Sequence, residues 1–270
     1  MSRGPHIRNL FDLSGRAAMV TGGAQNLGLD MAEALGEAGA DLVITSRQLD
    51  KAQAAAETLK AQLGVQVLPL ALDVTDEESV AEGFRQVQET CGRLDVLVCN
   101  AGGARLTGGG VTTDTRLPED WDAVMAINLK GAFLCVRAAL PLMRNQGNGS
   151  IILIASLSGM VGRNRWVYEG SDMVPNMTDY STVKGGLIAF ARDLAAENGC
   201  HGIRVNALSP GGFERGQPEE FIRRYNSQTM LGRMGRDGTD LKGAVVYLAS
   251  EASAYVTGQN LAVDGGFSAW

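Results

Sequence analysis

The stretch Ala17-Ala18-Met19-Val20-Thr21-Gly22-Gly23-Ala24-Gln25-Asn26-Leu27-Gly28 decides the fold. Residues 17–21 form a short apolar run of the kind buried on both faces of a parallel sheet. A glycine-rich turn follows, and from Asn26 onward Leu27, Met31, Ala34, Leu35 and Ala38 recur at helical spacing. Glycine between a strand and a helix lets backbone N–H groups approach a pyrophosphate, and the helix dipole favours the anion. Such a turn also serves as a tight connection with no ligand. Its place after the first strand of an alternating pattern favours the nucleotide, because ligands of such sheets sit at the carboxyl ends of the strands.

Working outward, the same alternation continues. Strands are expected at 41–46, 66–71, 96–99, 151–155, 204–208 and 260–263, and helices at 26–38, 49–63, 76–91, 180–198 and 239–250. Gly64 ends the second helix, and Thr75 or Asp76 caps the third. Residues 118–143 read as two helices broken near Asn128. Strand–helix alternation with near-continuous apolar strands predicts an α/β Rossmann-type doubly wound parallel sheet of about seven strands, with helices on both faces. No linker, repeat or low-complexity block divides the chain, so 1–270 reads as one domain with a flexible tail over 1–13. The longest irregular stretches, 102–117 and 163–179, exceed the usual connection length and are expected to meet substrate, the second as a substrate-loop insertion.

Composition narrows the function. The 270 residues are 45% hydrophobic and 20% charged, with a net charge of -6, which disfavours nucleic acid as a partner. There is no run of 18 or more apolar residues and no segment of signal-peptide type, so no membrane is expected. Cys91, Cys99, Cys135 and Cys200 form no CxxC pair, and a reduced cytoplasmic setting is the default. Two histidines far apart, His6 and His201, argue against a histidine-rich metal site and against a Ser-His-Asp triad, so no metal is expected.

Chemistry concentrates in Asp179-Tyr180-Ser181-Thr182-Val183-Lys184-Gly185-Gly186. Tyr180 and Lys184, four residues apart, share one face of a helix about one turn apart. A phenol beside an ammonium ion ionises more readily. One cation at roughly 4 Å in an effective dielectric of about 20 is worth about 4 kcal/mol, enough to bring a tyrosine from about 10 toward neutral pH. There it could both give and take a proton. The same spacing is also common on ordinary amphipathic helices.

With the glycine turn and the Tyr/Lys pair together, the chain resembles the short-chain dehydrogenase/reductase family. Thr21, Gly22 and Gly28 match the family's TGxxxGxG turn, with Asn26 in place of its middle glycine. Asparagine tolerates positive φ best after glycine, so the turn can keep its shape. Asp73-Val74, Asn100-Ala101-Gly102, Asn128 within Ile-Asn-Leu-Lys, Ser156, Pro210-Gly211 and Val263-Asp264-Gly265-Gly266 follow in the family's order across essentially the whole chain.

The resemblance implies Asn128, Ser156, Tyr180 and Lys184 as catalytic residues. It implies Gly22, Gln25, Asn26, Leu27, Arg47, Asp73, Val74, Asn100, Ala101, Gly102, Tyr180, Lys184, Pro210 and Gly211 as the coenzyme contacts. Arg47 after the second strand, with no carboxylate before Asp50, favours the 2′-phosphate of NADP(H); NAD(H) is the alternative, with Arg47 a solvated loop charge. Trp166, Tyr168, Arg215 and Gln217 are candidate substrate residues, Arg215 standing where the family often has threonine. The carboxyl terminus is similar to those of polyol and gluconate-type members. The implied reaction interconverts a secondary alcohol and a ketone, on a small-molecule polyol, sugar or sugar acid. The alternatives are reduction of a 3-oxoacyl thioester on an acyl carrier protein and a non-catalytic dinucleotide-binding module. A homotetramer is implied as well, with Trp270 at a subunit interface.

Overall fold

The computed structural model describes residues 4–103 and 112–270. In chain order its elements are α1 (Ile7–Leu10), β1 (Ala17–Val20), α2 (Asn26–Glu37), β2 (Asp41–Ser46), α3 (Leu49–Leu63), β3 (Val67–Ala71), α4 (Glu77–Cys91) and β4 (Val96–Cys99). There follow α5 (Pro118–Met125), α6 (Gly131–Gln146), β5 (Gly149–Ile154), α7 (Thr178–Asn198), β6 (Ile203–Pro210), β7 (Phe213–Glu214), α8 (Glu219–Asn226), β8 (Gly235–Arg236), α9 (Lys242–Ala249) and β9 (Asn260–Val263). Seven strands form one parallel sheet in the order β3-β2-β1-β4-β5-β6-β9, and β7 pairs β8 in a separate two-stranded ladder. The strand order reverses between β1 and β4, which opens a crevice at their carboxyl ends. This is the Rossmann-type α/β architecture the alternation predicts.

The sheet separates two apolar cores because successive strand residues point to opposite faces. Met19 joins Val80, Phe84, Leu134 and Leu187 on the side of α4, α6 and α7. Ala18 and Val20 join Met31, Leu35, Leu59 and Val245 on the side of α2, α3 and α9. Local signals set the helix ends. Asp76 accepts from the N–H groups of Glu78 and Ser79 at the start of α4, and Gly64 closes α3 in the left-handed region with φ 69.

Three readings change. The break expected near Asn128 is a π turn over Ala126–Lys130 that joins α5 to α6 in one continuous helical stretch. That stretch is long and apolar enough, by length and composition, to cross a membrane. Its Val124, Leu134, Cys135, Val136, Ala139 and Met143 are buried against the rest of the fold, so it is a core helix. The amino-terminal segment is not all tail: α1 forms one helical turn, Leu13 is 2% exposed and its N–H donates to Ala38 O at 2.8 Å. Finally, α8, β7 and β8 escape the periodicity because each is too short to display it. Of the two long irregular stretches, residues 104–111 lie outside the described residues.

Candidate active site

The turn after β1 is held from two sides. Gly22 has φ 62 and Asn26 φ 53, the one positive φ outside glycine among the described residues. The substitution of asparagine in this turn therefore keeps the left-handed backbone that a glycine would supply. Asn100, just past β4, donates from Nδ2 to Thr21 O at 2.9 Å and Gly22 O at 3.1 Å. The N–H groups of Asn100 and Ala101 donate to Thr21 Oγ1 at 3.0 Å. The Gly22 N–H donates to Thr45 Oγ1 of β2 at 3.3 Å. A Cβ on Gly28 would lie 2.5 Å from Asn100 Nδ2 and closer still to Gly22 O, so α2 starts hard against the turn because residue 28 has no side chain. Gln25 and Asn26 are exposed and Leu27 half-buried at this helix end.

Around the crevice, Arg47 follows β2 as an exposed side chain with no carboxylate ion-paired to it among the described residues. Its guanidinium lies near enough to Asp73 to act on that carboxyl. Burial opposes ionisation of Asp73, but hydrogen bonds from the Thr75 N–H (2.9 Å) and Thr75 Oγ1 (2.7 Å), with Arg47, leave its carboxyl below the ordinary value. Val74 is buried under Gly131 at the start of α6. Pro210 is buried at the end of β6, and the Gly211 N–H donates to Val263 O at 2.9 Å. Asp264 then accepts from Ser268 Oγ at 2.6 Å and from the N–H groups of Gly266 and Ser268 at 3.0 Å, which folds the carboxyl-terminal segment back beside Gly211.

The four residue types expected at the chemistry come together past the ends of β4 and β5. Ser156 ends the β5 segment and caps a 3-10 turn over Leu157–Gly159, its Oγ accepting from the Ser158 N–H at 3.2 Å. The Ser156 hydroxyl also lies close enough to the Tyr180 phenol to pull its pKa down. Lys184 is 4% exposed, with Nζ 5.5 Å from the Tyr180 ring centroid and donating to Ile154 O at 2.8 Å. Asn128 is 1% exposed in the π turn; its Oδ1 accepts from the Gly103 N–H at 3.0 Å, and its Nδ2 donates to Gly103 O at 2.9 Å and Val124 O at 3.0 Å. A Cβ on Gly102 would strike Asn128 Oδ1 and lie 3.6 Å from Lys184 Nζ, so a glycine there lets the β4 loop, the π turn and α7 meet.

The electrostatics differ from the expected tuning. Burial pushes the Tyr180 phenol up, while the neighbouring Ser156 hydroxyl and then the Arg163 guanidinium pull it down. Burial also pulls the Lys184 ammonium down to about 8. The helical spacing puts the pair on one face, but it says nothing of the desolvation that decides the sign.

Two proposed substrate residues are engaged elsewhere. Arg215 is ion-paired to Asp237, with Nε on Oδ2 at 2.6 Å. Gln217 turns back on its own loop, donating from Nε2 to Phe213 O at 2.8 Å and accepting from the Arg215 N–H at 2.7 Å. Trp166 lies 40% exposed with the Arg224 guanidinium 4.9 Å from its ring, on the side of α8. Tyr168 packs on Phe221 at 5.2 Å and accepts from Arg163 Nη1 at 2.6 Å. The 163–179 segment thus packs on α8 through Val167, Phe221, Tyr225 and Met234.

Arg163 and the Arg116–Asp179 pair are the features that residue-by-residue reading did not place. The one available signal was an aspartate directly before Tyr180. Trp270 is 72% exposed, with Nε1 donating to Gln228 O at 3.2 Å.

Known proteins resemble the chain over nearly its full length. A family model described as enoyl-(acyl carrier protein) reductase matches residues 22–268. The NADP-dependent mannitol dehydrogenase of Hypocrea jecorina is 34% identical over 269 residues, covering 97% of this chain and 96% of its own. A 3-oxoacyl-[acyl-carrier-protein] reductase of Thermotoga maritima is 33% identical, covering 94% of this chain and 98% of its own. The crystal structure of a gluconate 5-dehydrogenase from Burkholderia cenocepacia, in complex with NADP and tartrate, superposes with a TM-score of 0.88 at 32% identity, covering 98% of this chain and 100% of that one. With a shared fold, a shared order of motifs and likeness over nearly its full length, the chain belongs to the short-chain dehydrogenase/reductase family, oxidoreductases that interconvert alcohols and ketones with a nicotinamide coenzyme.

Proposed function

We propose that this oxidoreductase acts on a polyol, sugar or sugar acid with NADP(H), and that Tyr180 is its proton donor and acceptor. The observation that supports this most is the convergence of Tyr180, Lys184, Ser156 and Asn128 from three separate segments, α7, the end of β5 and the π turn, beyond β4 and β5. The coenzyme supplies or accepts the hydride when bound. The turn fits such a group: its backbone is left-handed at Gly22 and Asn26, and residue 28 leaves no Cβ between turn and helix. Gly22, Gln25, Asn26 and Leu27 would face the pyrophosphate, Arg47 the 2′-phosphate, and Asp73, Val74, Asn100, Ala101 and Gly102 the adenosine and its ribose, with Pro210 and Gly211 at the nicotinamide end.

The residues divide the remaining work. Ser156 donates a hydrogen bond to the substrate oxygen and stabilises charge developing there. Tyr180, held protonated at neutral pH by burial, gives its proton to that oxygen in ketone reduction and takes it back in alcohol oxidation. Lys184 holds the ribose hydroxyls and takes up the proton path from Tyr180. Asn128 fixes the backbone of Gly103 and orders a water leading to Lys184. A protonated phenol suits reduction near pH 7, and oxidation gains as pH rises.

NADP(H) over NAD(H) rests on Arg47 and on the NADP named for the mannitol dehydrogenase and the gluconate 5-dehydrogenase complex. The thioester reading stays in play because of the 33% identity to the 3-oxoacyl reductase. Its acidic carrier would need a basic docking face, and the net charge of -6 does not favour one. A non-catalytic module is disfavoured by relatives that are enzymes over their full length. Turnover of fructose, 5-ketogluconate and an acetoacetyl thioester, read by nicotinamide absorbance, tests the proposal. Preference for either sugar-derived ketone, abolished in Tyr180→Phe with coenzyme binding kept, is the expected result. Preference for the thioester selects the other reading, and a Tyr180→Phe enzyme that still turns over removes Tyr180 from its role.

A further inference from the structure

Arg163 stands in the loop that leaves the 3-10 turn after Ser156. Its guanidinium is clamped from two sides: Nη2 donates to Ser158 Oγ at 2.7 Å and Nη1 to Tyr168 Oη at 2.6 Å. The guanidinium also lies 5.9 Å from the Tyr168 ring centroid. Nε is buried with no hydrogen-bond partner, and no carboxylate is ion-paired with Arg163 among the described residues. Ser158 in turn donates its N–H to Ser156 Oγ at 3.2 Å, and the Ser156 hydroxyl acts on the Tyr180 phenol. The loop cannot drift from α7, because a Cβ on Gly159 would lie 2.5 Å from the Lys184 carbonyl carbon.

A half-buried guanidinium with no counter-charge and a buried, unpaired Nε is partly desolvated, and its field is screened less than that of a fully exposed charge. Such a group is retained where its charge acts on something nearby. We propose that Arg163 is a positioning residue that holds Ser156 through Ser158 and supplies the positive field under which Tyr180 exchanges its proton. This rests on the reading of Tyr180 as acid and base, and it gives Arg163 an electrostatic part beside that of Lys184. The remaining charged and titratable groups around Tyr180 are Lys184 on its own helix, Asp179 beside it with Arg116 attached, and Tyr168 on the loop. Around Arg163 stand Tyr168 and Tyr225, with Asp264 acting on Tyr225 from the far side. Consistent with the geometry, the Arg163 charge pulls the Tyr180 phenol down against burial.

The test is a titration of Tyr180 itself. Tyrosinate absorbance is followed from pH 6 to 11 in the NADP⁺-saturated enzyme, and the Tyr180→Phe curve is subtracted to isolate one phenol. Arg163→Gln is expected to move that midpoint up by about one pH unit, since a half-buried charge held beside the Ser156 turn exerts a field of about that size. Arg163→Lys is expected to restore most of the shift. At pH 8, kcat for gluconate or mannitol oxidation should fall about tenfold in Arg163→Gln, with KM for NADP⁺ unchanged. An unmoved midpoint, with activity lost equally at every pH, overturns the inference and leaves the role of Tyr180 intact. If Arg163→Gln fails to fold, Ser158→Ala, which removes one clamp, is read instead: an upward shift supports the inference and no shift overturns it. Failure of the Tyr180 role would show separately, as turnover retained in Tyr180→Phe.

Discussion

Asp179 is held by Arg116, Nε to Oδ2 at 2.8 Å, and both side chains are almost wholly buried, 1% and 4% exposed. The other carboxylate oxygen of Asp179 accepts the Tyr180 N–H at 2.6 Å, and Arg116 Nη1 also meets Asp120 at 3.1 Å. One arginine thus ties the entry of α5 to the first turn of α7, directly under Tyr180. Removing one partner of a buried ion pair strands the other in low dielectric and costs about 3–5 kcal/mol. Arg116→Met is expected to destabilise by that amount in urea unfolding and to lower kcat more than it raises coenzyme KM. Arg116→Lys keeps the charge but loses the planar fork and should recover only part of the loss.

Lys184 gives a prediction with a definite sign. Burial lowers its ammonium from 10.5 to about 8, so the unfolded chain binds that proton more tightly than the folded one. Folding therefore carries a penalty of about 3 kcal/mol below pH 8, and stability rises as pH climbs from about 8 toward 10.5. Lys184→Met removes the ammonium and leaves the Ile154 carbonyl without its donor. Unfolding at pH 7 should show equal or greater stability, the rise above pH 8 should disappear, and turnover should fall by roughly 10²–10⁴-fold.

For the coenzyme, Arg47→Ala removes one charge-assisted contact to a 2′-phosphate, worth about 1.5–3 kcal/mol. We expect kcat/KM with NADPH to fall on the order of 10–100-fold and that with NADH to change little. An unchanged NADPH value would assign Arg47 to solvent.

In the first turn, Asn26 at φ 53 should accept glycine with little change in stability. Asn26→Val should cost about 1–2 kcal/mol, because a β-branched side chain resists the left-handed region. Gly28→Ala places a methyl 2.5 Å from Asn100 Nδ2, so the turn must open. Isothermal titration with NADP⁺ should show coenzyme affinity falling far more than the melting temperature.

Subunit assembly can be checked on α6 and α7. Phe133 is 45% exposed and its ring centroid lies 6.5 Å from that of Phe190 on the neighbouring helix, an apolar pair on the outer face. If the homotetramer implied by the family resemblance forms through these helices, Phe133→Asp should give a smaller species in light scattering, while Trp270→Ala tests the carboxyl-terminal contact separately.

The sequence by itself determined the strand–helix alternation, the left-handed turn at Asn26, a cap at Thr75 or Asp76 and the helix end at Gly64, and the residue types at the chemistry. These depend on local stereochemistry and on periodicity within a few residues, which the chain displays directly. The tertiary structure decided the rest. It turned the expected break at Asn128 into a π turn, took Arg215 to Asp237, set Arg163 beside Ser158 and joined Arg116 to Asp179 across 63 residues. It also reversed the expected direction for Tyr180, because desolvation depends on every atom packed around a hydroxyl and not on the residue four places along the helix.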